Sequence, residues 1–301
     1  MLAVAALPAW QAHPEVWLLV AGVVAARLYA GRVIGPKAAV SGAAFTRRQT
    51  GFFVAGIFVL WAASDWPLHD IAEERLYSLH MVQHLLLTFL FPPLMLLATP
   101  EWLARLVLGR GRAYRVVRRL TRPVVAGVLF NALVAASHVA WVVNTSVTVG
   151  PLHYVAHTLL VVAALCMWAP VCGPLPEARV SLPAQMVYLF LMSVLPTIPA
   201  AFLTFAENAL YSAYDHDLRL WGVTVAQDQQ AAGLIMKLAG GAYLWTIITY
   251  LFFSWAARHE RAERAGVTVS ERDVLTWDHV EREFARLEEL DRAPHERPTP
   301  S

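Results

Sequence analysis

"LHMVQHLLLTFLFPPLMLLATP" (residues 79–100) decides how the rest of this sequence is read. It is apolar enough to span a bilayer, for which roughly 20 residues suffice. Yet it carries His80 and His84 one helical turn apart, Met81 and Gln83 between them, and then Pro92 and Pro93 in a row. An imidazole in hydrocarbon costs free energy, and a proline removes a helix hydrogen bond. A segment that bears both costs needs a role that compensates for them.

The surrounding sequence has the same character. Of 301 residues, 57% are hydrophobic and only 15% charged, with a mean hydropathy of +0.49. A soluble domain would carry about 25% charged residues. The apolar residues gather into long runs, the mark of an all-α, polytopic membrane protein. The net charge is only +2, there is no Gly-rich phosphate loop, and the one basic block lies between hydrophobic runs. No nucleic-acid partner is expected. The first residues lack the positive start of a signal peptide and run into apolar sequence without a clear cleavage site, so they read as a retained first span.

Seven stretches are long enough to span: 15–34, 49–66, 74–98, 123–144, 149–171, 183–206 and 228–257. Together they make a seven-helix transmembrane domain over residues 1–257, followed by a tail over 258–301. Loop 35–48 carries Lys37, Arg47 and Arg48, and loop 99–122 carries seven arginines against Glu101 alone. Loops 65–75 and 207–228 are acidic, through Asp65, Asp70, Glu73, Glu74 and then Glu207, Asp215, Asp217, Asp228. Basic loops stay in the cytoplasm, which puts the N-terminus outside and the C-terminus inside. Segment 100–120, basic and partly apolar, reads as an interfacial helix on anionic lipid. In the tail, Trp277, Val280, Phe284 and Leu287 fall at helical spacing and predict one amphipathic cytoplasmic helix over 271–291.

These directions fix the depth of the histidines. His80 enters the third span about 10 Å below the outer surface, and His84 lies one turn deeper on the same face. His138 falls about 9 Å short of the outer end of the fourth span. His153 and His157 form a second i, i+4 pair at the outer start of the fifth. Five imidazoles from three spans thus share the outer half of the bilayer. A lone intramembrane histidine is often a packing residue, but two i, i+4 pairs at matching depth offer converging nitrogens to one metal ion. Imidazole suits copper, zinc, iron and nickel alike. Met81, and Met236 in the seventh span, would add thioethers that favour Cu(I), although methionine also serves as core filler. Asp65 and Asp228 sit at outer mouths of spans, where each either attracts a cation, orients an imidazole or caps a helix. Cys166 and Cys172 lie at the other membrane face and read as small buried residues without a disulfide. Pro92 and Pro93 predict a kink about two turns beyond His84, and Pro196 and Pro199 a similar bend in the sixth span.

Three blocks of sequence together resemble one family. "SDWPLHDIAEERLYSLHMVQHLLLTFLFPPLMLLATP" is similar to the signature of the CtaG family of cytochrome c oxidase assembly factors linked to caa3 oxidases. The matching residues are Asp65, Pro67, His80, Met81, Gln83, His84, Pro92, Pro93 and Pro100. A second block supplies His138, His153, His157, Trp168 and Pro170; a third supplies Asp228, Gln229, Gly233 and Met236. The likeness runs from about 45 to 285, with the first block the most specific. Lys237 departs from it, standing near the midplane of the seventh span where the family pattern has an aromatic residue.

The resemblance implies a multi-pass plasma-membrane protein of bacteria that helps mature haem–copper oxidase by delivering copper at the outer face. Its partners would then be oxidase subunits, an extracytoplasmic copper donor and the lipid bilayer. The residues themselves allow rivals. A haem protein could take bis-His ligation from His80 or His84 opposite His153 or His157. A copper permease would use the same ligands but needs a polar path onward, and below His84 and His157 the spans are chiefly apolar until Cys166. A retinal protein would use Lys237 but wants a carboxylate counterion in the third span, which has His and Gln instead. With no HExxH and no nucleophile elbow, an enzyme is not expected.

Overall fold

The computed structural model describes residues 8–38, 43–215, 220–264 and 281. Apart from residue 281, the amphipathic helix expected over 271–291 lies outside the described residues. Among those residues all regular structure is helical. In chain order the helices are α1 (Pro14–Ala38), α2 (Arg47–Ser64), α3 (Leu68–Glu74), α4 (Tyr77–Ala98), α5 (Glu101–Leu108) and α6 (Arg112–Leu120). They continue as α7 (Pro123–Ser137), α8 (Ala140–Thr148), α9 (Gly150–Cys172), α10 (Leu182–Val194) and α11 (Thr197–Thr204). The last, α12, starts at Val225–Leu234 and runs on through Gly240–Arg264.

Six helical stretches among the described residues are long and apolar enough to cross a membrane, and α6 with α7, bent by 74°, makes up to seven. Their outer faces are apolar where a soluble protein would be polar: Phe202, Phe205, Tyr250 and Phe253 are exposed. That is the surface a lipid-facing bundle presents. Capping boxes at Thr46/Gln49 and Thr224/Gln227 start α2 and α12, each satisfying backbone donors that the helix leaves over. Gly233 on α12 allows close approach to α11, because a Cβ there would lie 2.5 Å from Thr204 Oγ1 and 2.7 Å from the Ala200 carbonyl.

Three departures from the expected spans have local causes. The fourth span, expected over 123–144, stops as a helix at Ser137. Ser137 Oγ and His138 Nδ1 both donate to the Val134 carbonyl, at 2.8 and 2.6 Å. They occupy the acceptor the next turn would use, and α8 begins afresh at Ala140. The basic segment 100–120 is two helices rather than one, divided at Gly109, whose φ of 59° favours glycine. The acidic loop after α2 contains a helix of its own, α3, in which His69 and Asp70 are buried.

The expected kinks take a specific form. Before Pro92 and Pro93, α4 widens into a π turn over Leu86–Leu90. Pro92 has no N–H for the carbonyl four residues back, and Trp168 of α9 donates its indole N–H to that carbonyl, Thr88 O, at 3.0 Å. The sixth span breaks at Pro196 between α10 and α11. There Lys237 Nζ donates to the Ser193 carbonyl at 3.3 Å and to Thr197 Oγ1 at 2.5 Å. Lys237 itself sits on a second π turn, Ile235–Ala239 of α12. At each break a neighbouring span thus donates to a backbone carbonyl, Thr88 O at the first and Ser193 O at the second. One core cluster packs Phe89, Phe130, Met167, Trp168, Leu189 and Leu244; a second packs Tyr77, Met81, Val143, Leu203, Tyr211 and Met236. The histidines lie next to both.

Candidate metal centre

His80 and His84 leave α4 on one face because residues four apart stack along a helix. His153 and His157 do the same on α9. The structure brings the two pairs face to face. Ring centroids are 4.5 Å apart for His80–His84, 4.2 Å for His153–His157, 5.3 Å for His80–His157 and 4.7 Å for His84–His157. One ligand nitrogen each from His80, His84 and His157 can be chosen so that all three lie within 4.8 Å of one another. His153 stands one step out, its ring 5.6 Å from that of His80. His138, at the break between α7 and α8, approaches from the other side, 6.4 Å from His84.

The hydrogen bonds leave nitrogens over. His138 gives its Nδ1 proton to the Val134 carbonyl, which leaves Nε2 as a free acceptor. That Nε2, His157 Nε2 and His80 Nδ1 are buried without a hydrogen-bond partner. Native interiors rarely leave such atoms unpaired, so each calls for an explanation such as an ion. His80 Nε2 and His84 Nε2 lie 2.8 Å apart and share one proton. Two nitrogens held at about 2.0 Å from a tetrahedral ion sit about 3.3 Å apart, so an ion replacing that proton needs only a small widening.

Below His84 opens a cavity of about 40 Å³, lined among others by Met81, Met236, His138, Thr88 and Lys237. It has room for an ion or a few waters. The two π turns help to shape it, since Thr88 and Phe89 lie on one and Met236 and Lys237 on the other. Both thioethers expected from the sequence therefore line the space next to His84 and His138. On the opposite side, His80 is covered by aromatic rings, with Tyr77 stacked at 5.6 Å and Tyr214 at 6.4 Å. Tyr211 packs on Tyr77, and burial pushes its phenol up to about 12, so this cover stays uncharged.

The two aspartates are engaged elsewhere. Asp65 accepts from the indoles of Trp17 and Trp61 at 2.9 and 2.6 Å and from the Trp66 N–H at 2.9 Å. Asp228 accepts from the N–H groups of Tyr77 and Ser78 at 2.6 and 3.0 Å, capping α4 three residues before His80 begins its turn. Neither belongs to the histidine group. Cys166 and Cys172 are free thiols.

Sequence reasoning gave no site role to two neighbours. Glu73 of α3 brings Oε1 to 2.7 Å from His153 Nε2, close but without hydrogen-bond alignment, and to 3.2 Å from His69 Nδ1. Gln83 Nε2 donates to the Ala63 carbonyl at 2.8 Å and to His69 Nδ1 at 3.1 Å. The available signal was His69 and Glu73 at i, i+4, in a loop weighed only for its charge. A family model described as cytochrome c oxidase caa3 assembly factor, Caa3_CtaG, matches residues 17–258. No curated protein and no solved structure matches the chain.

Proposed function

The chain belongs to the Caa3_CtaG family of cytochrome c oxidase caa3 assembly factors, and from that premise we propose that it carries copper for the oxidase on the His80–His84–His157 cluster. The observation that carries this reading is the group of three imidazoles from α4 and α9 whose nitrogens lie within 4.8 Å of one another. His138, Met81 and Met236 stand ready around the adjoining cavity.

The donor set favours the monovalent ion. His80, His84, His157, His138 and the two thioethers are all neutral ligands, and no carboxylate lines the cavity among the described residues. The cost of burying an ion without a counter-charge rises with the square of its charge, so Cu(I) is far easier to hold here than Cu(II). Neutral ligands also bind reversibly, which a carrier needs when a recipient site in an oxidase subunit competes for the ion. An extracytoplasmic donor would load it, with the histidine end of the bundle outward. The alternative of a bis-His haem protein is disfavoured by space: a cavity of about 40 Å³ falls well short of the roughly 300 Å³ or more typical of cofactor pockets.

The test is anaerobic Cu(I) titration of the purified full-length protein against a colorimetric chelator, with an absorption spectrum of the same sample. One tightly held Cu(I), lost in His80→Ala/His84→Ala, is the expected result. A Soret band, or Cu(I) binding indifferent to that double substitution, overturns the proposal.

A further inference from the structure

A second group of potential ligands lies beside the first and shares none of its residues. His13 immediately precedes α1, and His69 and Asp70 are adjacent on α3; one donor atom from each can be chosen so that all lie within 4.8 Å of one another. His13 Nε2 lies 2.7 Å from Asp70 Oδ1, and the His13 and His69 rings meet edge to face at 4.9 Å. Asp70 is 3% exposed, and its second oxygen, Oδ2, is buried with no hydrogen-bond partner. A buried carboxylate oxygen left unpaired in such a group is costly unless a cation completes it. Two further carboxylates flank it: Glu15 Oε1 lies 3.2 Å from His13 Nδ1, and Glu73 Oε1 lies 3.2 Å from His69 Nδ1.

We infer that His13, His69 and Asp70 form a second metal site, selective for a divalent borderline cation such as Zn(II) or Cu(II). The chemistry differs from that of the inner cluster in the one respect that sets ion charge. An imidazole–carboxylate set supplies the negative charge a dication needs, whereas the inner cluster supplies none. The site also differs in access. Glu15 and the Gln11–Glu74 hydrogen bond beside it are exposed, so an ion reaches it without crossing the bundle. Glu73 links the two groups, because its Oε1 lies between His69 Nδ1 and His153 Nε2, and the His153 ring is 4.2 Å from that of His157. The inference does not depend on the inner cluster holding copper.

Equilibrium dialysis of the full-length protein in detergent against Zn(II), with metal analysis of the retained fraction, tests it. The wild type is expected to retain at least one Zn(II). His69→Ala/Asp70→Asn is expected to lose one equivalent, and His80→Ala/His84→Ala to keep that equivalent. Zn(II) retention unchanged by His69→Ala/Asp70→Asn, or an equivalent lost only with His80 and His84, overturns the second site and leaves the Cu(I) reading intact. A wild type that retains no Zn(II) overturns it with no variant needed. Should the double variant lose its helical circular dichroism, Asp70→Asn alone, which preserves side-chain size, replaces it under the same criteria.

Discussion

The carboxylate of Asp228 accepts a 2.6 Å hydrogen bond from the backbone N–H of Tyr77, across 151 residues of sequence. Its other oxygen takes the N–H of Ser78 at 3.0 Å. The residue before α4, Leu76, has no side chain able to cap, so α12 supplies the cap for the helix that carries His80 and His84. Replacing Asp228 by alanine leaves two N–H groups unpaired, one buried and one half-buried, at a cost of about 2 kcal/mol. Asp228→Ala is therefore expected to lower the melting temperature in detergent and to weaken Cu(I) binding together, with Asp228→Asn, which keeps only one of the two acceptor oxygens, recovering part of both. A variant that melts normally yet loses copper would instead make Asp228 a ligand.

Trp168 and Pro92 form a second long-range pair that works through a third group. The indole N–H fills the Thr88 carbonyl that Pro92 cannot reach. Trp168→Phe keeps most of the ring's packing and removes only the donor, so it should cost about 1–3 kcal/mol in unfolding free energy. Pro92→Ala restores a backbone N–H for the same carbonyl. The double variant Trp168→Phe/Pro92→Ala should then be less destabilised than the sum of the two singles, a coupling that a double-mutant cycle in thermal or denaturant unfolding measures. Strict additivity would mean that the indole and the proline are independent.

These two pairs mark the boundary of what the sequence could show. Hydropathy located the spans because length and apolarity are properties of contiguous residues, and the i, i+4 spacing of His80/His84 and His153/His157 placed each pair on one helix face. Charge and helical rise put the pairs at one depth, and the structure brings them together. What stayed illegible depends on partners distant in the chain. Asp228 read equally well as a helix cap or as a cation's partner, and only the position of Tyr77 distinguishes them. Lys237 read as an anomaly in the sequence, and its partner, Ser193 O at the α10–α11 break, is supplied by a different span. The stop at His138 was hidden for another reason: Ser and His are tolerated inside spans, and only their shared use of Val134 O ends the helix.

Outside the spans, the ion pair of Arg105 on α5 with Glu177 in the α9–α10 loop gives a pH-dependent contact. Arg105 Nη1 and Nη2 donate to Glu177 Oε1 and Oε2 at 2.9 and 3.0 Å. A backbone hydrogen bond and then this guanidinium hold the Glu177 carboxyl below its ordinary value of 4.5. A carboxyl depressed on folding contributes stability above its unfolded pKa and loses it as pH falls through the folded one. Glu177→Gln is thus expected to melt slightly below the wild type at neutral pH, with the gap closing once the pH drops below 4.5. Both side chains are partly solvated, so added salt should shrink the gap at neutral pH as well. A gap that persists in acid would assign the effect to packing of Tyr114, which donates to the same carboxylate at 3.1 Å.

Lys237 places its cationic side chain in the cavity that also receives His84, His138, Met81 and Met236, with no carboxylate among the described lining residues to offset it. Its hydrogen bonds to Ser193 O and Thr197 Oγ1 anchor it there. In a low-dielectric interior a neighbouring positive charge opposes a bound cation, and each 1.4 kcal/mol of repulsion relieved is worth about tenfold in affinity. Lys237→Leu, which removes the charge without adding a thioether, is therefore expected to tighten Cu(I) binding by on the order of tenfold. The same change strips the Ser193 carbonyl of a donor and should lower the melting temperature. The two readouts move in opposite directions, which separates electrostatics from general damage. A variant that is less stable and also binds Cu(I) more weakly would show that Lys237 shapes the cavity more than it charges it. On the copper-carrier proposal, a lysine that weakens retention is of use, because an ion held less tightly is more readily surrendered to a recipient.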